Sequence, residues 1–163
     1  MRYVMKQKLF SIGGDSMITD ARGNNRYLVD GAAISLGRRL VIKDVQNGQE
    51  LATLQQALIA LTPTFEIRTR SGASAKISVK ILTITDRLKI DVPGWDDLEA
   101  RGDLFRHEYG IYRKGREVAH VSKSWLSFRD AYGIDIDDGQ DEGLILASAV
   151  VIDEILDMRE KND

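Results

Sequence analysis

Between Met1 and about residue 136, apolar and polar residues alternate in short runs, broken by turn residues roughly every 10 positions. "YVMKQKLFSI" alternates at the start. "SMITDARGNNRYLVDG" carries two runs around "DARGNN", and "RRLVIKDVQNGQELATLQQAL" carries two around "DVQNGQ". "TFEIRTRSGASAKISVKILTIT" turns at "RSGAS", and "HEYGIYRKGREVAHVSK" turns at "RKGR". Strand, Gly-containing turn and strand is the hairpin signature. In "FEIRTR", Phe65 and Ile67 alternate with Glu66 and Arg68. In "KISVKILTI", Ile77, Val79 and Ile81 alternate with Ser78 and Lys80. A period of two sends one set to a buried face and the other to water. The spacing predicts a sandwich or barrel rather than βαβ units, and sequential hairpins predict a meander. "ATLQQALIAL" fits two patterns: Leu54, Ala57, Leu58 and Leu61 have helical spacing, but the hairpin context favours a strand, the reading adopted.

The pattern changes at Glu142. In "DEGLILASAVVIDEILDM" eight of the nine residues from Leu144 to Ile152 are apolar, and the ninth is Ser148. A helix over about residues 142–158 is predicted, with Asp138 or Asp141 as its cap. Asp141 and Glu142 at its start and Arg159 and Lys161 near its end match the polarity of the helix dipole. A helix apolar on every side has to be buried on every side. With one such helix and many strands, the only wrapping available is the sheet. The predicted architecture is mainly β: about twelve antiparallel strands closed around a central C-terminal helix, in one domain over residues 1–163. A barrel filled in this way leaves sites only on its outer surface or at its ends.

The helix is not a membrane span. Crossing a bilayer takes about 20 apolar residues; here Asp153, Glu154 and Asp157 follow a run half as long. "MRYVMKQKLF" is followed by "SIGGDS" rather than an apolar stretch, so no secretory signal is expected and a cytoplasmic location is the default. The chain has 23 Lys and Arg, 25 Asp and Glu, and a formal net charge of -2. That balance argues against a nucleic-acid partner. With no cysteine, disulfides and thiolate metal sites are excluded.

Catalytic and metal chemistry find little support. In "DIDDGQDEG" the EF-hand pattern fails: counting from Asp135, Gly139, Gln140 and Leu146 stand where the loop needs a ligand, Gly and Glu. A turn and helix cap explain those carboxylates better. His107 and His120 lack metalloprotease spacing, and no nucleophile elbow, Walker loop or dinucleotide loop occurs. No catalytic residue, metal ligand or cofactor is therefore expected, and the chain reads as a non-enzyme. Asp153 is expected either to emerge from the barrel or to hold a structural hydrogen bond, since a buried unpaired carboxylate is costly. Trp95 and Trp125 are expected in the core or as barrel-end plugs.

A many-stranded meander ending in an all-apolar helix resembles the tubby-like barrel. More closely, "YVMKQKLFSI", "MITDARGNNRYLVDG", "LVIKDVQNGQELATL", "VAHVSKSWLSFRDAYGIDI" and "LILASAVVIDEIL", in that order, resemble the LURP-one-related (LOR) family over about residues 1–156. The resemblance implies a barrel of about twelve strands around a C-terminal helix, in agreement with the pattern. Tubby proteins bind phosphoinositide headgroups, and phospholipid scramblases are proposed distant relatives. No tubby site residue can be carried onto this sequence. The cations that suggest an anion site are Arg38, Arg39 and Lys43, with Arg68 and Arg70 on one strand face. They could equally be solvated strand faces that protect edges. The expected function is a binding or scaffold protein, with an anionic membrane surface or a phosphorylated protein as partner and a peripheral membrane location if the partner is lipid. The alternative is an enzyme or small-molecule carrier with a site at the barrel end; a scramblase-like role is the least favoured.

Overall fold

A computed structural model describes residues 1–7, 14–31, 38–57, 62–78, 86–127 and 130–162. Among the described residues twelve strands precede one helix: β1 (Arg2–Lys6), β2 (Gly14–Asp20), β3 (Asn25–Gly31), β4 (Arg39–Asp44), β5 (Glu50–Gln56), β6 (Thr64–Thr69), β7 (Ser74–Ser78), β8 (Arg87–Ile90), β9 (Leu98–Asp103), β10 (Glu108–Arg113), β11 (Arg116–Ser122), β12 (Ala131–Ile136) and α1 (Glu142–Asn162). All pair antiparallel in one sheet of order β7-β6-β5-β4-β3-β2-β1-β12-β11-β10-β9-β8. Each half is a meander. The halves join where β1 lies along β12, Val4 opposite Gly133.

The two ends of this sheet almost meet. Lys76 of β7 and Asp91, just past β8, exchange backbone hydrogen bonds of 2.8 and 3.0 Å. Two residues further along, the register sets Pro93 opposite Ser74. Proline has no N–H to donate, so the ladder stops there. The barrel is nearly closed, with one short seam.

Along the strands the period of two is visible in the burial. Tyr3 and Met5, Leu40 and Ile42, Phe65 and Ile67, Ile77, Ile90, Tyr109 and Ile111 all face inward and are buried. Into this lining runs α1, whose residues 143–157 are all buried. Ser148, the one polar residue in the apolar run, donates its hydroxyl to Leu144 O at 2.7 Å. The hydroxyl thus satisfies itself within its own helix. Close approach to β5 needs Gly143: a Cβ there would stand 3.0 Å from Leu51 O. Asp141 caps the helix, accepting from Leu144 N–H at 3.0 Å.

Several expectations are refined. The helix runs to Asn162, one turn past the expected end. The first half of "ATLQQALIAL" is strand β5; Leu58 and Leu61 lie outside the described residues, as do Val79, Lys80 and Ile81. The tryptophans are corrected. Trp95 is 68% exposed and Trp125 37% exposed, so neither plugs the barrel. The helix already fills the core. Trp125 instead lies on the outer surface against Gly133, where a Cβ would stand 2.8 Å from its ring, with the Arg2 guanidinium 4.1 Å above it. No helix among the described residues is long and apolar enough to cross a membrane.

Candidate functional site

Strand geometry sorts the five cations. Arg38 and Arg39 are chain neighbours and point to opposite sides, because side chains alternate across a sheet. Arg38 turns inward and pairs with Glu154, a fully buried carboxylate on α1. Lys43 pairs with Asp30 at 3.0 Å on the neighbouring strand. Those two charges are occupied within the fold. Arg39 and Arg68 have no acidic partner among the described residues. They face outward on β4 and β6, and β5 runs between them: Arg39 lies opposite Gln55, and Thr53 lies opposite Arg68. Arg70 follows β6 on the same face and is exposed.

Arg39, Thr53, Gln55, Glu66 and Arg68 line a shallow outer groove of about 470 Å³. The short Thr53 forms its floor between the two guanidinium groups, and Gln55 adds an amide. Glu66 is the one carboxylate in the wall; the register sets Lys76 beside it. A second hollow continues past Arg68 along Ser74, Ala75 and Lys76 to Pro93 at the seam. Two arginines and a lysine therefore track across β4 to β7, opposed by one glutamate.

Inside the barrel, polar groups hold the helix. At its start, Glu142 Oε2 accepts from the hydroxyls of Tyr3 and Tyr27, both at 2.8 Å. Burial and these bonds to a carboxylate push both phenols above their ordinary value of 10.0. Asp141 Oδ2 also accepts from Thr69 at 3.3 Å and from Ser71. Further along, Asp153 meets His107 Nε2 at 2.8 Å, and the His107 ring stacks on Tyr132 with centroids 4.8 Å apart. Asp153 thus holds a structural bond inside the barrel rather than emerging from it. Tyr109 and Tyr132 are raised by burial first and by the Asp153 charge second.

A His–Asp pair supplies two of the three members of a nucleophile-activating triad. This one is sealed: His107 is 4% exposed and Asp153 2%, and neither lines the outer groove or the mouth cavity described next. His120 lies elsewhere, on β11, 3.3 Å from Glu117. Among the described residues no group of three or more His, Asp or Glu side chains is placed to hold a metal ion.

A cavity of about 320 Å³ opens at the barrel end where α1 enters, between the seam and the β12–α1 turn. Trp95, Val92, Ala73 and Leu144 give it apolar walls, and Arg113, Gln140, Ser71 and Asp141 give it polar ones. The sequence reading did not single out Arg113. Its signal is its parity: Tyr109, Ile111 and Arg113 share the inward face of β10.

Among the described residues, twelve antiparallel strands form a nearly closed barrel around the C-terminal helix. The chain belongs to the LURP-one-related (LOR) family, whose sequence profile matches residues 1–153. It is 31% identical over 152 residues to YxjI of Bacillus subtilis (strain 168), an uncharacterised protein, covering 93% of this chain and 91% of that one. An X-ray structure of an Arabidopsis thaliana protein superposes with a TM-score of 0.64 at 16% identity, covering 94% of this chain and 91% of the other. That likeness extends to the fold alone.

Proposed function

We propose that the protein is a non-enzymatic binding module that engages anionic lipid headgroups through the outer groove on β4, β5 and β6. One observation carries this reading: Arg39 and Arg68 flank the groove without an acidic partner, whereas Arg38 and Lys43 are each held by a carboxylate. Guanidinium groups suit phosphate because their planar fork donates two parallel bonds. Thr53 adds a neutral hydroxyl between the two forks, whereas the Gln55 amide nitrogen already donates to Arg38 O and Gln56 O. The groove lies on the outside of a sheet, where a membrane surface can reach it, and Arg70 and Lys76 widen the positive track. A filled lumen supports a surface mode of recognition over an enclosed one.

Vesicle flotation tests it. The chain should float with vesicles containing an anionic phosphoinositide at low salt and stay behind with neutral vesicles. Flotation should weaken as salt shortens the screening length from about 30 Å at 0.01 M to about 8 Å at 0.15 M. Replacing Arg39 and Arg68 with Ala should remove it, while replacing the paired Lys43 should matter less. No flotation at low salt, or flotation indifferent to the double substitution, overturns the reading. Capture by a phosphopeptide without flotation would assign the groove to a protein partner instead.

A further inference from the structure

We infer that the cavity at the α1 entrance of the barrel is a second, separate binding site, for a small planar-ring compound bearing a carboxylate. Its most unusual wall is Trp95, an indole 68% exposed on the turn between β8 and β9. An indole is a large apolar surface, and this one is left mostly open beside the cavity. The turn that presents it is tied down: Val92 N–H donates to Asp97 Oδ1 at 2.8 Å, and Trp95 N–H to Val92 O at 3.1 Å. The backbone that carries the ring is fixed, and the ring lines the cavity. Leu144 and Val92 complete an apolar slot beside it.

The polar end of the slot is Arg113, an inward-facing cation at the barrel rim. Gln140 Oε1 accepts from its Nη1 at 2.8 Å and fixes the guanidinium plane. Its Nε–H is buried and has no acceptor among the described residues. A buried donor without a partner is uncommon and costly in folded proteins. The Nε–H is too enclosed for a cavity ligand to reach, but Arg113 lines the cavity with the rest of its guanidinium, and a carboxylate matches that cation best. The one carboxylate in the wall, Asp141, does not serve: its oxygens already accept from Leu144 N–H, Thr69 and Ser71. Those three donors also temper its repulsion of an incoming anion. A flat ring on Trp95 with its acid group on Arg113 fits the arrangement, and the volume admits a small molecule of this kind.

The test uses the full chain and two matched probes, benzoate and the neutral benzamide, titrated while two-dimensional NMR follows the Trp95 indole N–H and the Leu144 and Ala73 signals. Benzoate should saturate with shifts confined to these residues, and it should bind about tenfold tighter than benzamide, on the scale of one charge-assisted contact. Arg113→Met should abolish the preference for benzoate, and Trp95→Ala should weaken both probes. Equal binding of the two probes, shifts that never saturate, or shifts centred on Arg39 and Arg68 would overturn the proposal. The comparison of probes on the unmodified chain decides the matter even if Arg113→Met fails to fold. A negative result here leaves flotation through the outer groove untouched, because the two sites share no residue.

Discussion

His107 Nε2 and Asp153 Oδ1 lie 2.8 Å apart inside the barrel, joining the turn before β10 to the helix across 46 positions of sequence. Both are almost wholly buried. Removing one member takes a 2.8 Å hydrogen bond away from a polar group that stays buried. Asp153→Ala or His107→Ala should therefore cost about 3–5 kcal/mol of stability, read from the urea midpoint. Replacing both with Leu should cost clearly less than the sum of the single losses, because no orphaned group remains. Strictly additive losses would show that the two side chains are not coupled.

The tyrosines report on the closed interior. Tyr3, Tyr27, Tyr109 and Tyr132 all have phenols raised above 10.0, with burial the largest cause in each. The folded state therefore holds these protons more tightly than the unfolded state. Their contribution to stability is complete below pH 10 and is lost as the pH rises above it. Ultraviolet titration of a Tyr112→Phe variant, which removes the one surface phenol, should show little phenolate until the fold gives way, with ionisation and loss of near-ultraviolet circular dichroism in one step. Free ionisation near pH 10 in an intact fold would contradict burial of these rings.

Glu108 contributes on the acid side. Desolvation pushes its carboxyl up. The Ser122 hydroxyl and the N–H groups of Ser124 and Lys123 outweigh this and bring it below its ordinary 4.5. Its stabilising effect is present above pH 4.5 and fades as the pH falls through the lower folded value. Glu108→Gln should lose about 1 kcal/mol at neutral pH, a modest figure because water screens part of the site. The gap between the two proteins in urea should then narrow below pH 4.5. A gap that stays constant from pH 7 to pH 3 would remove Glu108 from the account.

Much of the fold was legible because two periodicities contrast sharply. Phe65 and Ile67 alternate with Glu66 and Arg68, which marks a strand with one wet face. Leu144 to Ile152 show no wet face, which marks a helix that something must enclose. The candidate site was less legible. Arg38 and Arg39 read as one cluster in sequence, yet alternation sends one inward to Glu154 and one outward to the groove. Parity could have separated them. What it could not supply was the partner, since Glu154 stands more than a hundred residues away. Trp95 misled for a physical reason. Its size suggests a core plug, but the helix leaves no room in the core, and the β8–β9 turn holds the indole at the rim.

On the proposed function, anionic headgroups engage the groove between Arg39 and Arg68 and not the helix inside the barrel. Titrating the isotope-labelled chain with soluble inositol trisphosphate, the detached headgroup, tests this most directly. Saturable shifts are expected at Arg39, Thr53, Gln55 and Arg68, weakened by salt, with the signals of the buried helix from Leu144 to Asp157 unmoved. Shifts centred on the helix and its lining, or no shift at the groove at low salt, would contradict it.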